Sequence, residues 1–540
     1  MAPSSRGNDR ESHSVLVGGL SGLLAAGLAL GVASLLGAAA ESRVLPIVAV
    51  GEAFIDLTPS WLREFAIRTF GSSDKLALIV GIVVVLGLAA ATTGVLARRR
   101  LSFGLAGVAV LGGTGAAATI ARPEAPVVDV VSLLMGAILG ALALMLLTRA
   151  AEGDDAQAGA GSTPDPASPG QRTRAPTVPG PARSIVDRRR FLAAGTGVAA
   201  LVVTSGLAGR LFTGIRAHVA ASRAAIRLPE PASAAAPVPA RADLGVPHVP
   251  PFFTPNGGFY RVDTRLTVPQ ITTDDWRLRV HGMVEREIVL TFDDLLRRPL
   301  IERDITLACV SNEVGGPLVG NARWLGAPLA DLLREAGVKP GANEILSRAA
   351  EGWTCGTPTA VVMDGREAML AVAMNGKPLP LAHGFPVRMV VPGLYGFVSA
   401  TKWVVDLTLT RFEDARPYWA RRGWALRAPV KTMSRIDNPR PGTALPVGRV
   451  AVAGVVWAQH RGIKRVEVRV DNGQWHEARL APVPSVDTWR QWVHIWDATP
   501  GGHQLQVRAT DGTGRTQPEK RTPKYPDGAT GWHSIDVTVM

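Results

Sequence analysis

The sequence predicts an N-terminal helical membrane region, followed by an α+β domain and a C-terminal β-sandwich. Three observations predict this organisation: long apolar runs confined to the first 215 residues, mixed strand and helix patterns over residues 252–430, and short alternating strands with polar turns over residues 431–540. At 540 residues, of which 47% are hydrophobic, the chain is too long for a single domain and apolar enough to contain membrane segments.

Four apolar runs lie in residues 1–149, and each is long enough to cross a hydrocarbon core of about 30 Å as a helix. They are Val15–Ala40, Leu76–Ala97, Leu101–Ala121 and Val127–Thr148. None carries a charge at its centre, and runs of this length disfavour the alternative of a buried soluble helix. We therefore predict four membrane helices in this region and a fifth, Phe191–Ile215, after a Pro/Gly/Ala-rich segment.

That segment, residues 150–187, lacks apolar periodicity and is predicted to be a disordered linker. Residues 188–215 follow it and contain the predicted fifth span. They begin with Arg188, Arg189 and Arg190, an arrangement that resembles the twin-arginine export motif in an internal position. The alternative is an ordinary positive-inside stop after a membrane helix.

The arginines beside these spans predict the membrane orientation. With the N-terminus inside, Arg98–Arg100 and the arginine-bearing linker both fall on the cytoplasmic side, as the positive-inside bias requires. Everything after the fifth span is then outside, so we predict a multi-pass protein of the cytoplasmic membrane whose C-terminal domains are extracytoplasmic. The formal charge of +13 partly reflects these arginines. The sequence contains no basic stripe interleaved with aromatic residues, so nucleic-acid binding is not predicted.

Residues 216–251 are predicted to be a second, Pro/Ala-rich linker, and the α+β domain follows. Its strands include Arg277–Val280 and Glu287–Leu290, and its helices include Asp293–Arg298 and Leu329–Ala336. In the C-terminal region the predicted strands are Val450–Trp457, Arg465–Val470, Trp475–Leu480, Trp489–Ile495 and Gln504–Thr510, with a turn at Asp471–Gly473. This spacing of short strands and polar turns is typical of a β-sandwich.

Cys309 is the most informative residue of the chain, which has only two cysteines. A β-prone run, Ile305–Val310, carries it to a turn rich in Ser, Asn and Gly, residues 311–316, where the backbone can approach a ligand closely. A thiolate presented in this way suits a transition metal. The alternative is a buried cysteine that packs as a small hydrophobe.

Three segments together resemble the sulfite oxidase family of molybdopterin enzymes. They are Thr306–Gly316 around the cysteine, His383–Gly393 and Thr401–Trp403, in the order expected of the family. The resemblance covers about Pro250–Met540 and implies a molybdenum–molybdopterin cofactor, with Cys309 as the single protein ligand of the metal. A folded, cofactor-loaded protein needs a route across the membrane, and this requirement favours the twin-arginine interpretation.

The resemblance also implies which residues bind the cofactor. His383, Arg388 and Lys402 would hold the pterin and its phosphate, because arginine offers a planar fork, lysine a point charge and histidine a hydrogen-bonding partner for a heterocycle. Taken singly, each could be an ordinary polar residue, and together they favour a cofactor site. The remaining members of the predicted cofactor-binding set are Asn312, Cys355, Gly356 and Gly393.

Cys355 has two interpretations. It lies where the family places a Tyr-Gly pair near the cofactor, so it could line the same pocket. A buried core thiol is at least as compatible with the sequence. Because Cys309 is assigned to the metal, Cys355 is left without a partner and no disulfide is predicted.

The substrate-binding positions depart from those of family members that oxidise sulfite. Asp263 stands where a family arginine is expected, Glu313 replaces one of two paired arginines, and Trp424 replaces the active-site tyrosine. An acidic or neutral pocket capped by Trp424 should repel sulfite and suit a neutral or cationic substrate, such as a sulfoxide or an N-oxide. Asp263 and Trp424 are therefore catalytic candidates beside the metal-binding cysteine. The alternative is that Asp263 and Glu313 merely pair with Arg265 or Arg261.

The two-electron chemistry implied by the resemblance requires an electron partner. The sequence has no Cys-x-x-Cys-His motif, and His13 is the only histidine before the end of the fifth span, so no haem is expected in this chain. We predict an external cytochrome or quinone-linked protein. The C-terminal region resembles the immunoglobulin-like dimerisation domain of sulfite oxidases, which implies a homodimer formed through that domain.

Three functions are compatible with these features. The first is a membrane-anchored, outward-facing molybdopterin oxidoreductase that transfers an oxygen atom to or from a small substrate, in contact with the lipid bilayer through its helices. The second is a sulfite dehydrogenase with a rearranged anion site. The third is a cofactor-free membrane scaffold or receptor that uses the sandwich for protein contacts, and the candidate metal ligand Cys309 argues against it.

Overall fold

The protein is described here from a computed structural model. The structure describes residues 5–39, 74–120, 127–159, 208–264 and 267–540, together with residues 196 and 199. The chain divides into two compact units, residues 1–217 with 265–267, and residues 218–264 with 268–540. The first unit contains the predicted membrane region, and the second contains the predicted α+β domain and β-sandwich.

The first unit contains long helices at the positions predicted for the first four membrane spans. They are α1 (Ser5–Ala39), α2 (Asp74–Arg99), α3 (Leu101–Ile120) and α4 (Val127–Gly159). Each contains 20 to 25 consecutive residues that are apolar enough to cross a membrane. Because α4 continues to Gly159 through an Ala-rich stretch, residues 150–159 are helical, and that part of the linker prediction is wrong.

The fifth predicted span, the twin-arginine-like motif and the remainder of the first linker lie almost entirely outside the described residues. Helix α5 (Ala208–Ala225) covers only the end of that span. All three features therefore stay predictions.

Helices α1 and α2 approach each other through glycines. A Cβ atom on Gly22 would overlap the carbonyl oxygen of Ala90, and one on Gly94 would overlap the carbonyl oxygen of Gly18. The two backbones are therefore in direct contact, as small residues at membrane-helix interfaces allow.

A Gly22→Val substitution is expected to force these two helices apart and to destabilise the helical unit by about 1–3 kcal/mol. The matched control is Gly81→Val in the same unit, because a Cβ at Gly81 would meet nothing within 4 Å. Thermal loss of helical circular dichroism, measured on the detergent-purified chain, compares the two variants. Equal midpoints for Gly22→Val and Gly81→Val would contradict the close packing.

Residues 216–251, predicted to be a linker, are held by hydrogen bonds to the α+β domain and the C-terminal region. The Arg223 side chain donates hydrogen bonds of 2.6 and 2.7 Å to two carbonyl oxygens of the α+β domain. Ser233 forms a β-bridge with Ile301, and the Leu244 N–H donates to the Gln491 side chain at 2.7 Å. Most of these contacts use main-chain groups, which composition does not reveal.

The α+β domain is built from two sheets. Its strands are β1 (Arg277–Gly282), β2 (Ile288–Thr291), β3 (Ile301–Ala308), β4 (Val319–Pro328), β5 (Glu344–Ala349), β6 (Thr354–Pro358), β7 (Met369–Met374), β8 (Lys377–Pro378), β9 (Arg388–Val390) and β10 (Val404–Thr410). One sheet has the order β2-β1-β10-β5-β6, and the other has the order β3-β4-β7-β8 with β9 paired to β7. The helices are α6 (Phe292–Leu296), α7 (Leu329–Ala336) and α8 (Thr359–Val362).

The predicted elements of this domain are confirmed with small shifts in their bounds. α7 has the predicted bounds because Gly337 follows it in the left-handed conformation, with φ of 69°. α6 begins one residue earlier than predicted, at a capping box formed by Thr291 and Asp294. Trp276 and Trp324 are fully buried in the cores on which the sheets rest.

The C-terminal region forms two sheets that share one apolar core, as predicted for a β-sandwich. The strands are β11 (Met433–Asn438), β12 (Ala444–Leu445), β13 (Gly448–Trp457), β14 (Ile463–Val470), β15 (His476–Glu477), β16 (Arg479–Leu480), β17 (Arg490–Ala498), β18 (Gly501–Asp511) and β19 (His533–Val539). The sheet orders are β11-β13-β17-β16 and β12-β19-β18-β14-β15. The predicted strand Trp475–Leu480 is divided, since β15 joins one sheet and β16 the other.

Candidate cofactor site

Cys309 lies immediately after β3, at the start of a tight loop. Its N–H donates to the Leu318 carbonyl at 2.9 Å, and its own carbonyl accepts from the Asn312 N–H at 3.1 Å. The Ser311 N–H lies 3.4 Å from the cysteine sulfur and donates to it. Burial raises the pKa of the Cys309 thiol, while the Ser311 hydrogen bond and the charge of Lys524 lower it. The thiol is half-buried, and both cysteines are free.

The loop after Cys309 is stabilised by its own hydrogen bonds and by contacts with the β-sandwich. Asn312 Oδ1 accepts a hydrogen bond from the Leu318 N–H at 2.8 Å, so this oxygen of a predicted cofactor-binding residue is used by the loop itself. Gly315 has φ of 80°, and a Cβ there would overlap the His533 ring. The Arg435 guanidinium donates to the Gly316 carbonyl at 2.8 Å. The sandwich therefore fixes the shape of the cysteine loop.

Arg388 is a buried cation whose hydrogen-bonding capacity is not fully used. It is 5% exposed, donates to the His383 carbonyl at 3.2 Å, and lies over the Trp324 ring at 5.0 Å. Its Nε atom has no hydrogen-bond partner in the described part of the chain. Burial lowers the pKa of Arg388 to about 10, so the side chain is still charged at neutral pH. A buried guanidinium of this kind fits a phosphate group, which accepts planar, charge-assisted hydrogen bonds.

His383 and Lys402 lie beside Arg388, as the sequence predicts. A Cβ on Gly384, whose φ is 109°, would lie 2.9 Å from the Arg388 Cβ and 3.1 Å from the Lys402 Cα. The His383 Nε2 atom is 3.0 Å from the Asn256 carbonyl oxygen. Burial and the charge of Arg388 lower the pKa of His383 to about 4, so the imidazole is neutral at pH 7.

Asp263 is paired with cations, as the ion-pair alternative predicted. Its carboxylate, which is 4% exposed, forms ion pairs with Arg261 and Lys402. Glu313 is 61% exposed and lies 3.4 Å from the ammonium group of Lys524. Both acids are therefore compensated, and the prediction of an acidic pocket is not supported, because each carboxylate has a nearby counter-charge.

Trp424 lies in an aromatic cluster. Its ring is 5.8 Å from Phe397, 5.9 Å from Trp419 and 5.4 Å from Tyr525, measured between ring centroids. Tyr525 belongs to the C-terminal region, so the sandwich contributes to this aromatic surface. Phe397 follows Gly396, which lies close to the carbonyl of Ala308 at the end of β3. The aromatic cluster thus reaches the segment beside the cysteine strand.

The other predicted cofactor residues occupy different surroundings. Cys355 is fully buried in the apolar core, 3.9 Å from the Thr357 hydroxyl, and burial raises the pKa of its thiol to about 11. Gly356 lies directly against the carboxylate of Glu344. Gly393, with φ of 82°, lies against Arg366 and His460, which a side chain would contact. These positions favour packing roles, including the core-thiol interpretation of Cys355.

Three residues near Cys309, namely Tyr260, Tyr395 and Lys524, were not predicted from the sequence. Tyr260 interacts electrostatically with both Cys309 and Arg388, and Lys524 interacts with Cys309. Tyr260 is only three residues from Asp263, so the same segment could have indicated it. Lys524 is brought to the site by the fold of the sandwich, and no motif surrounds it.

Residues 265–419 match the family described as "Oxidoreductase molybdopterin binding domain". The chain is 30% identical over 341 residues to "Sulfite oxidase, mitochondrial" of Rattus norvegicus, covering 54% of this chain and 62% of the relative. It thus spans less than two thirds of that relative's length. It is 36% identical over 152 residues to "Uncharacterized oxidoreductase YuiH" of Bacillus subtilis (strain 168), covering 28% of this chain and 73% of the relative. The solved sulfane dehydrogenase SoxCD of Paracoccus pantotrophus is 28% identical, with a TM-score of 0.46 over 53% of this chain and 84% of that chain.

Proposed function

The chain belongs to the sulfite oxidase family of molybdopterin oxidoreductases, and on that premise we propose that it is a membrane-anchored enzyme that transfers an oxygen atom to or from a small substrate outside the cytoplasmic membrane. One observation carries this proposal. Arg388 is a buried cation whose Nε has no hydrogen-bond partner in the described part of the chain. It interacts electrostatically with Tyr260, which also interacts with the Cys309 thiol. A cofactor-free scaffold has no use for such a buried charge.

The residues present fit the cofactor that the family implies. We propose that the Cys309 thiolate binds molybdenum, and that Arg388, Lys402 and neutral His383 hold the pterin and its phosphate. When bound, the cofactor supplies a metal centre that exchanges two electrons during oxygen-atom transfer. The protein itself would compensate the phosphate charge through Arg388 and keep the cysteine loop in one shape through the contacts of Asn312.

The proposed substrate is neutral, such as a sulfoxide or an N-oxide. Lys524, the cation that acts on Cys309, already pairs with Glu313 at 3.4 Å, so its charge is partly compensated before an anionic substrate arrives. Trp424 and its aromatic neighbours offer an apolar wall for the rest of the substrate. Sulfite oxidation is the second candidate, because the charge of Lys524 acts on Cys309.

We further propose that these four apolar helices and the predicted fifth span, Phe191–Ile215, anchor the enzyme with its N-terminus inside and its catalytic domain outside. An external cytochrome or quinone-linked protein would exchange its electrons. The helices support the anchoring by their length and composition. The immunoglobulin-like character and dimerisation role of the sandwich are part of the same proposal, supported by its two-sheet architecture.

Metal and pterin analysis of the full chain, purified in detergent, tests the proposal. We expect about one molybdenum per wild-type chain, and Cys309→Ser should lose all detectable activity because the metal loses its thiolate ligand. Cys355→Ala is the matched control, since it removes the other thiol from the apolar core, and it should keep its molybdenum.

Three results of this experiment would change the proposal. Wild-type chain without molybdenum or pterin, from a host able to make and export the cofactor, would leave the scaffold function standing. Loss of molybdenum from Cys355→Ala would support the interpretation that Cys355 lines the cofactor pocket. A panel of sulfoxides, N-oxides and sulfite then separates the two substrate classes.

A further inference from the structure

Tyr260 has a ring that is fixed in place by its neighbours. It stacks on Phe259, with a centroid distance of 5.3 Å and an interplanar angle of 22°. Phe259 in turn packs edge-on against Trp324 at 5.9 Å and against His383 at 5.7 Å. The direction of the Tyr260 hydroxyl is therefore set by residues that also surround Arg388.

The hydroxyl of Tyr260 lies beside the end of β3. A Cβ atom on Gly396 would lie 3.7 Å from this hydroxyl oxygen and 3.8 Å from the carbonyl oxygen of Ala308, the residue before Cys309. Because Gly396 has no side chain, a space remains open between the Tyr260 hydroxyl, Gly396 and the end of β3. The electrostatic interactions of Tyr260 with Cys309 and Arg388 agree with this placement.

The donor capacity of this hydroxyl is not used by the protein. In the part of the chain that the structure describes, no residue forms a hydrogen bond with it. Burial and the neighbouring Cys309 raise the pKa of Tyr260 far above its ordinary value, so the phenol keeps its proton. A protonated, half-buried phenol with an unused O–H is a ready donor to an oxygen atom in the same space.

We propose that Tyr260 is the hydrogen-bond donor of the Cys309 site, and that its hydroxyl contacts and orients the oxygen atom of the substrate. A sulfoxide or N-oxide oxygen is a strong acceptor and carries little other polar surface by which it could be aligned. The phenol is an uncharged donor, which suits a neutral substrate. This role rests on the function proposed above.

A Tyr260→Phe substitution tests the role, because it removes one hydroxyl and keeps the ring packing. We expect the variant to retain wild-type molybdenum and pterin contents and to lose about 100-fold in kcat/KM. The EPR spectrum of the partly reduced metal centre should also change, particularly in its splittings from exchangeable protons. Tyr395→Phe is the matched control. Tyr395 also interacts with Cys309, but its hydroxyl lies against Gly528 and the Lys431 N–H and not beside Gly396, so the spectrum and activity of this variant should stay close to wild type.

Several outcomes would overturn the role of Tyr260 without affecting the proposed function. One is a loaded Tyr260→Phe variant with wild-type activity and EPR spectrum. Another is an equal loss in both tyrosine variants, which would indicate a general effect on packing. Loss of molybdenum from Tyr260→Phe alone would assign the residue to cofactor retention in place of substrate contact. Absence of molybdenum from the wild-type chain would instead contradict the proposed function itself.

Discussion

Replacing Arg388 with methionine is expected to leave the purified chain without cofactor and, at the same time, to make its cofactor-free form more stable. Arg388 is almost fully buried, and its Nε has no hydrogen-bond partner among the described residues. A buried charge without a carboxylate partner destabilises a fold, whereas the same charge binds phosphate through charge-assisted hydrogen bonds. Methionine fills a similar space and removes the charge.

Each charge-assisted hydrogen bond contributes about 1.5–3 kcal/mol, so we expect pterin and molybdenum contents to fall at least about tenfold. The free energy of unfolding of the cofactor-free second unit should rise by about 1–4 kcal/mol. Elemental analysis and pterin fluorescence measure the first effect. Denaturant unfolding of wild type and variant, both produced without molybdate, measures the second.

Arg323→Met is the matched control for this experiment. Arg323 donates to both carboxylate oxygens of Asp304, at 2.7 and 3.0 Å, and Asp304 is 5% exposed. Its loss leaves a buried carboxylate unpaired and should lower stability by about 3–5 kcal/mol. If Arg388→Met lost stability in the same way, or kept its pterin, Arg388 would be a structural cation and not a phosphate ligand.

Glu344→Gln is expected to stabilise the second unit relative to wild type, and increasingly so as pH rises from about 4.5 to about 8. Glu344 is fully buried, and neither carboxylate oxygen has a hydrogen-bond partner in the described ranges. Burial and the nearby charge of Glu413 raise the pKa of Glu344 to about 8 from its ordinary 4.5. Between these values Glu344 is protonated in the folded chain and ionised in the unfolded chain, so its own contribution to stability decreases as pH rises.

The Glu344→Gln variant has no ionisable group at this position. Its free energy of unfolding should therefore be close to that of wild type at pH 4.5 and higher by about 3 kcal/mol at pH 8.5. Glu413→Gln should show a smaller change in the same direction, because it removes the nearby charge that raises the pKa of Glu344 and leaves the burial of Glu344 unchanged. Thermal unfolding of each full chain across this pH range gives the comparison. Parallel curves for wild type and Glu344→Gln would show that Glu344 does not hold its proton.

Local sequence patterns predicted many helices and strands of the second unit. They failed where one segment pairs with strands of two different sheets. The bounds of α7 follow from its apolar periodicity and from Gly337 after it. The segment Trp475–Leu480 has a strand pattern, but alternation alone does not reveal that β15 and β16 belong to different sheets. Residues 216–251 have no periodicity, yet they are fixed by hydrogen bonds and by the packing of Phe252 and its neighbours.

The candidate site shows the same limit. Three short motifs predicted Cys309, His383, Arg388 and Lys402 through their resemblance to one family, and the structure places Lys402 beside His383 and Arg388. The sequence shows that Asp263 is acidic, but it does not show that Lys402 neutralises this charge, because the two residues are distant along the chain. Tyr260 and Lys524 become visible only when separate segments fold onto one another.

The loop that presents Cys309 is completed by the last strand of the chain. Gly315 lies against His533 of β19, and Arg435 of β11 donates to Gly316. Ribosomes add about 5–20 residues per second, so His533 emerges roughly ten seconds or more after Cys309. During that interval the loop lacks the ring that supports it. Insertion of the cofactor is therefore expected to follow synthesis of β19, and a chain that still lacks this strand would not be a substrate for the insertion machinery.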